Sequence, residues 1–256
     1  MLDYHLFNAS DGRLLAYSTA NPGRVSKKTP GVVFLGGFRS DMTGTKAVFL
    51  EDWARATGRA FLRFDYTGHG ASSGAFEDGC IGDWVRDAAE IIAALTEGPQ
   101  ILVGSSMGGW IALRLAQTQA VEIAGVVGIA AAPDFTEDSM WAEADEAQRA
   151  ALVRDGRIEL PTEYDDIPYV ITRKLIEDGR KNLVLRAPLE LPFPVRLLHG
   201  TADADVKMSV PLTLLEHASG PDIRLTLVKG ADHRFSTPDC LDQIVAAVEE
   251  VSARQG

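Results

Sequence analysis

Apolar residues fall along this chain in two rhythms. Short continuous runs, Val32-Val33-Phe34-Leu35, Ala60 to Phe64, Ile101-Leu102-Val103, Ile123 to Ala132 and Val195 to Leu198, end at glycine, proline or polar loops. Runs of this length with almost no polar face predict strands covered on both sides. Between them, apolar residues recur at helical spacing. Lys46 to Thr57 predicts a helix that buries Val48, Phe49, Trp53 and Ala56 and stops at Gly58. Ile81 to Thr96 predicts one that buries Trp84, Ala88, Ile91 and Leu95. The stretch after Gly108, Ser209 to Ala218, and Pro238 to Arg254 complete the helical set, the last with Leu241, Ile244, Val245, Val248 and Val251 inward. Tyr4 to Thr19 predicts a hairpin turning at Asp11-Gly12. Asn21-Pro22-Gly23 breaks the chain, and Ser26 to Pro30 predicts a solvated loop. Ile223 to Val228 alternates polar and apolar residues, as an exposed strand does.

Strands alternating with helices imply an α/β fold: a mostly parallel sheet of about eight strands with helices on both faces. The first hairpin adds antiparallel strands at one edge. The rhythm fails from Asp134 to Phe193. Helices are expected there at Glu137 to Val153 and Tyr169 to Asp178, with a short extended piece at Arg157 to Leu160. Because this block begins where a strand ends, it is expected to lie over the carboxyl rim of the sheet as a helical cap. The expected organisation is therefore a core of residues 1–133 and 194–256 with a cap insertion of 134–193.

Composition narrows the classes without selecting one. A chain of 256 residues with 46% hydrophobic content can bury one large core. Its net charge of −11 argues against nucleic acid or an anionic membrane as partner. Two cysteines, Cys80 and Cys240, without CxxC spacing, argue against a disulfide framework and a zinc site, and fit a reducing cytoplasm. The start Met1-Leu2-Asp3-Tyr4-His5 carries no readable export signal, and no apolar run is long enough to span a bilayer.

The chemistry gathers at Gly104-Ser105-Ser106-Met107-Gly108, between the strand Ile101-Leu102-Val103 and a helix. A turn this sharp forces its central residue into a strained, exposed conformation, and glycines two places either side remove the Cβ atoms that would collide. Ser106 is the expected nucleophile. A serine hydroxyl needs a base to take its proton, and the base needs an acid that fixes its tautomer. Of five histidines, His233 follows the last strand and keeps the chain order serine, acid, histidine. His199 and His69 are expected to support loops, His5 and His217 to pack or lie at the surface. Three acids compete: Asp203, favoured because His199-Gly200-x-x-Asp203 returns its carboxylate toward the last loop, then Asp205, then Asp134. The oxyanion donors expected are the N–H groups of Met107 and of Phe38, after the Gly36-Gly37 turn. Arg39 and Lys46 have two readings, receiving an anionic substrate group or forming ion pairs with Asp41 or the cap. Phe135, Met140, Trp141 and Tyr169 are candidates for an acyl pocket, or plain packing.

These segments, with Asp65-Tyr66-Thr67-Gly68-His69-Gly70, resemble the α/β-hydrolase superfamily over nearly the whole chain. Phe34-Leu35-Gly36-Gly37-Phe38, then Ser40-Asp41-Met42-Thr43-Gly44-Thr45-Lys46-Ala47, and the ending at Asp232-His233 are similar to the serine esterases that deacylate acyl glucuronides and S-palmitoylated proteins. The resemblance implies a triad of Ser106, Asp203 and His233 and a hydrolase of esters or thioesters, without metal or organic cofactor, in a bacterial-type or processed relative. Its expected partner is a small-molecule or acylated substrate. Two alternatives stand beside it: the same triad cleaving carbon–carbon bonds or transferring acyl groups, and a hydrolase fold that only binds.

Overall fold

The structure, a computed structural model, describes residues 4–21, 23, 29–160 and 168–254. The break at Pro22 and most of the loop from Ser26, like the first three residues, lie outside the described residues.

The hairpin forms first in the chain, as β1 (His5–Asn8) and β2 (Leu14–Ala20), antiparallel. Then come β3 (Gly31–Leu35), α1 (Thr45–Thr57), β4 (Phe61–Phe64), α2 (Ile81–Leu95), β5 (Gln100–Ser105), α3 (Met107–Thr118) and β6 (Ile123–Ile129). A π-helical turn, Thr136–Trp141, precedes α4 (Glu146–Asp155), β7 (Arg157–Leu160), β8 (Tyr169–Thr172), α5 (Arg173–Gly179) and the two-residue β9 (Leu189–Glu190). The chain closes with β10 (Val195–Gly200), α6 (Ser209–His217), β11 (Ala218–Ser219), β12 (Ile223–Val228) and α7 (Pro238–Ala253).

Eight strands make the main sheet, in the order β1-β2-β4-β3-β5-β6-β10-β12. From β4 to β12 neighbours run parallel; β1 and β2 are the antiparallel edge. Every residue of β3, β4 and β5 is buried, which is why those runs carry no alternation. One face packs on α2 and α3 through Trp84, Ile91, Trp110 and Ile111; the other packs on α1 and α7 through Leu50, Ile244 and Val248. With helices on both faces, the carboxyl ends of the parallel strands are left as the rim for a site.

Two expectations need correction. The buried face of α1 is Ala47, Leu50, Glu51 and Ala54, whereas Val48, Phe49 and Trp53 are half-buried and Ala56 is exposed. Glu51 disguised that face: it is buried against Arg63 of β4 at 2.5 Å and takes the Ser18 hydroxyl at 2.7 Å, so a charge sits where a sequence pattern asks for an apolar side chain. The elements of the block after Asp134 also differ from those expected. Tyr169–Thr172 is a strand rather than the start of a helix; its β-branched Val170, Ile171 and Thr172 pair antiparallel with Arg157–Leu160. Thr172 then caps α5, accepting the N–H of Leu175 at 3.1 Å. The expected long helix from Glu137 is divided, because Asp145 and Gln148 form a reciprocal capping box that starts α4 afresh. The chain is back against the core by Leu189, where β9 pairs with β11 and both Leu189 and Leu191 are buried.

Candidate active site

The site begins with the turn from β5 into α3. Ser106 has φ 53° and ψ −116°, a conformation L-residues avoid. It is pinned there by its neighbours: its N–H donates to Ile129 O at 2.9 Å, and its carbonyl accepts from Gly109 at 2.9 Å and Ala132 at 3.1 Å. A Cβ on Gly104 would collide with the Gly108 carbonyl, and one on Gly108 with the carbonyl of Leu35. The glycines are thus needed for close approach of three backbone segments.

His233 lies in the loop between β12 and α7. Its Nε2 is 3.2 Å from Ser106 Oγ, and its Nδ1 is 2.9 Å from Asp203 Oδ2. A carboxylate only accepts, so Nδ1 carries the hydrogen and Nε2 is left to accept from the Ser106 hydroxyl. The same loop is held by Gly230 N–H donating to Thr201 Oγ1 at 2.9 Å. Asp203, almost fully buried, receives the N–H groups of Asp205 at 2.9 Å and Val206 at 2.8 Å on its other oxygen. Burial raises the pKa of its carboxyl, but the hydrogen bonds from His233 and these two amides outweigh it and leave the group below its usual range.

The competing acids separate on geometry. Asp205 Oδ2 is 4.0 Å from His233 Nδ1 and is far more exposed. Asp134 is buried elsewhere, taking the N–H groups of Val184 at 2.8 Å and Leu185 at 3.0 Å; it ties the returning chain to the end of β6. Asp232 accepts from Phe235 N–H at 3.0 Å, pointing into its own turn. The remaining histidines serve structure. His199 donates to Val206 O at 3.0 Å and so shapes the Asp203 loop. His69 is buried among Tyr66, Phe76 and Trp84, and burial holds its pKa down to about 4. His217 reaches Ala187 O at 2.8 Å, and His5 packs on Tyr17.

Phe38 follows Gly37, which lies against the nucleophile turn: a Cβ placed on Gly37 would sit 3.5 Å from Ser106 Cβ and from the Ser105 carbonyl oxygen. Among the described residues neither the Phe38 nor the Met107 N–H donates to a protein acceptor, and Met107 opens helix α3. Both are therefore available beside Ser106. The Phe38 ring is the hub of an aromatic cluster, with edge contacts to Phe76 at 4.9 Å, Phe135 at 5.6 Å and Tyr169 at 5.7 Å between centroids.

A cavity of about 530 Å³ opens over Ser106 and His233. Phe38, Arg39, Phe135, Met140 and Tyr169 line it. Trp141 does not. It is held outside between the guanidinium groups of Arg149, 5.2 Å from its ring centroid, and Arg180, at 4.6 Å. Its expected place in an acyl pocket is corrected: Asp138, Ser139 and Met140 of the π-helical turn line the cavity, and the next residue, Trp141, is engaged by the two arginines instead. Arg39, at φ 54°, lies over Phe76 and Tyr169 and donates to Pro168 O at 3.1 Å. Lys46 donates to Arg234 O and, at 3.5 Å, to Ser236 Oγ. Among the described residues neither forms an ion pair with Asp41.

Sequence reasoning missed what supports this rim. Arg63 donates to Met42 O, while Asp65 accepts the Met42 N–H at 2.6 Å and that of Ala71 at 2.9 Å. An arginine inside the apolar run Phe61 to Phe64 was the signal, since a buried charge requires a partner. Lys207 and Glu143, paired at 2.7 Å across the cavity mouth, gave no such signal. The ligand atoms of Asp203, Asp205 and His233 lie within 4.8 Å of one another, but both nitrogens of His233 are engaged by Asp203 and Ser106, which suits proton transfer rather than a metal.

A serine at a strained turn, a histidine and a buried aspartate from the ends of neighbouring strands, and a cavity at the carboxyl rim define a hydrolase-type site on a doubly covered sheet. The chain belongs to the alpha/beta hydrolase family, whose profile matches residues 32–247. It is 34% identical over 245 residues to the mitochondrial palmitoyl-protein thioesterase ABHD10 of Mus musculus, covering 95% of this chain and 80% of that protein. The solved structure of mouse alpha/beta hydrolase domain-containing protein 10 superposes with a TM-score of 0.88 at 30% identity, covering 99% of this chain and 100% of the other. A candidate hydrolase from Agrobacterium vitis S4 superposes with a TM-score of 0.91 at 41% identity, covering 97% and 98%. The similarity to the depalmitoylating esterases therefore extends over both sequence and fold.

Proposed function

We propose that this protein hydrolyses carboxylic esters or thioesters through an acyl-serine intermediate. The observation that carries this is the hydrogen-bonded chain from Ser106 Oγ through His233 to Asp203 Oδ2, at 3.2 and 2.9 Å, under an apolar-walled cavity. Ser106 Oγ attacks the acyl carbon as its proton passes to His233 Nε2. The carbonyl oxygen becomes an oxyanion and takes the N–H groups of Phe38 and Met107. The proton on Nε2 then goes to the departing alkoxide or thiolate, leaving the acyl group on Ser106. Water gives a proton to Nε2 and attacks the acyl carbon. Collapse releases the carboxylic acid and returns the proton to Ser106. Asp203 holds the imidazole in the required tautomer throughout.

The names of the similar palmitoyl-protein thioesterases support thioesters within this class, and the aromatic walls support an acyl chain. In this reading the segment 134–193 acts as a cap, with Phe135, Met140 and Tyr169 as its contribution to the acyl wall. The substrate is a small or acylated molecule presented at the rim; the net charge of −11 disfavours nucleic acid. No helix among the described residues is long and apolar enough to cross a membrane. Cys80 and Cys240, free and buried, suit the cytoplasm, which cell fractionation tests. The central assay compares hydrolysis of acyl esters and acyl thioesters, from acetyl to palmitoyl, by wild type and Ser106→Ala. Turnover by wild type alone supports the reading. Product analysis showing carbon–carbon cleavage or acyl transfer would replace it, as would equal activity of the variant.

A further inference from the structure

The segment Ser40 to Ala47 leads from the oxyanion loop into the first turn of α1, and the reaction as described uses none of it. Its position is nevertheless fixed at both ends. Met42 is clamped by Asp65 on its N–H and by Arg63 on its carbonyl, and Arg63 is itself held by Glu51 of α1. Four residues on, Lys46 reaches out of the first turn of α1 to the loop that carries His233, donating to the carbonyl of Arg234 and to Ser236 Oγ. Arg234 is the residue immediately after His233. The path from Phe38 to His233 thus runs through one short, doubly anchored segment and one side chain.

From this we infer that Lys46 is a positioning residue: it holds the His233 loop in register with the oxyanion loop, so that Nε2 meets Ser106 Oγ while the Phe38 N–H faces the same carbonyl oxygen. The inference rests on His233 being the general base.

Two local effects oppose a cation at this place. Lys46 lies in the first turn of α1, where the helix dipole favours acids, and that turn contains none. Burial also outweighs the attraction of Asp232 and brings its ammonium group down to about 8. Neither effect is offset by an ion pair among the described residues; the offset comes from the two acceptors on the His233 loop. The lysine also lines the cavity, so recognition of an anionic substrate group is the rival role.

The test uses the full chain with Lys46→Met, which keeps the stem and removes the donor, and Lys46→Arg, which keeps a donor on a stem of similar reach. Turnover of a neutral short-chain p-nitrophenyl ester, turnover of an ester bearing a carboxylate, and the rate of labelling by a neutral fluorophosphonate are measured well below each variant's melting temperature. A positioning role predicts that Lys46→Met lowers kcat and the labelling rate together, by about 10- to 100-fold, with KM for the neutral ester within about twofold, and that Lys46→Arg recovers most of the loss. Unchanged kcat and labelling in Lys46→Met would overturn it. So would a rise in KM confined to the anionic ester, which assigns the lysine to substrate binding. Should Lys46→Met not fold, Lys46→Leu, which likewise has no donor, gives the same readouts. Ser106→Ala separates the two readings: if it is still labelled, the triad assignment fails, whereas an inert Ser106→Ala beside a wild-type-like Lys46→Met removes only the role of Lys46.

Discussion

Replacing Asp203 by Asn changes one atom and should nearly abolish turnover. The buried Oδ1 accepts two backbone N–H groups, from Asp205 and Val206. An asparagine placed there keeps its carbonyl oxygen on those donors, because an amide nitrogen cannot accept them. Its NH2 group then faces His233 Nδ1, where Oδ2 stood at 2.9 Å. The imidazole must switch its hydrogen to Nε2, the atom that faces Ser106 Oγ at 3.2 Å. Nε2 then donates to the hydroxyl instead of accepting from it, and the base has nowhere to take the serine proton. A wrong-tautomer histidine costs about 10⁴ in kcat, or about 5.4 kcal/mol of transition-state stabilisation. Asp205→Asn should lose less than about threefold, since its carboxylate is 4.0 Å from Nδ1 and partly exposed. Steady-state hydrolysis of a p-nitrophenyl ester measures both. A loss below about tenfold for Asp203→Asn, or a larger loss for Asp205→Asn, would refute the assignment of the acid. The substitution also has a pH signature. Because the folded-state pKa of Asp203 lies below its ordinary value of 3.8, its carboxylate stabilises the fold above that pH, and the contribution disappears as pH falls through the lower folded value. The stability gap between wild type and Asp203→Asn, read by urea unfolding, should therefore be full near neutrality and shrink as pH is taken below about 4.

Three further outcomes separate structure from chemistry. Asp134→Ala strands the N–H groups of Val184 and Leu185 in a buried place, so urea unfolding should show a loss of about 2–4 kcal/mol while kcat stays within about threefold of wild type. Gly108→Ala would drive a methyl into the Leu35 carbonyl; soluble yield and far-UV circular dichroism should show that this chain does not reach the native fold. Phe135→Ala should raise KM for long-chain esters about tenfold, because it removes cavity wall that also supports Phe38 and Trp110, whereas Trp141→Ala should leave KM unchanged to within about twofold.

Most of the sheet could be read from the chain because its central strands are buried on both faces, which leaves unbroken apolar runs such as Val32 to Leu35. The reactive set could be read because glycine is needed on either side of Ser106 and because Asp203 and His233 follow the last two strands of the main sheet. What escaped has a common cause. Glu51 and Arg63 are charges satisfied across elements, by each other and by Ser18 and the Met42 carbonyl, so neither position reads as core. Tyr169–Thr172 is four residues long and partly exposed, and its partner strand lies earlier in the chain; pairing, not local preference, makes it a strand. Trp141 is a large aromatic directly after three cavity residues, Asp138, Ser139 and Met140, and only the backbone's course through the π-helical turn sets it between two arginines instead. The link from Lys46 to Arg234 spans 188 residues, beyond any local pattern.

The central claim is that Ser106 carries the acyl group. The direct measurement is intact-mass analysis followed by peptide mapping after reaction with a fluorophosphonate, on wild type and on Ser106→Ala. One adduct per chain, located on Ser106 in wild type and missing from the variant, is the predicted result. An adduct on another residue, or equal labelling of both proteins, would contradict it.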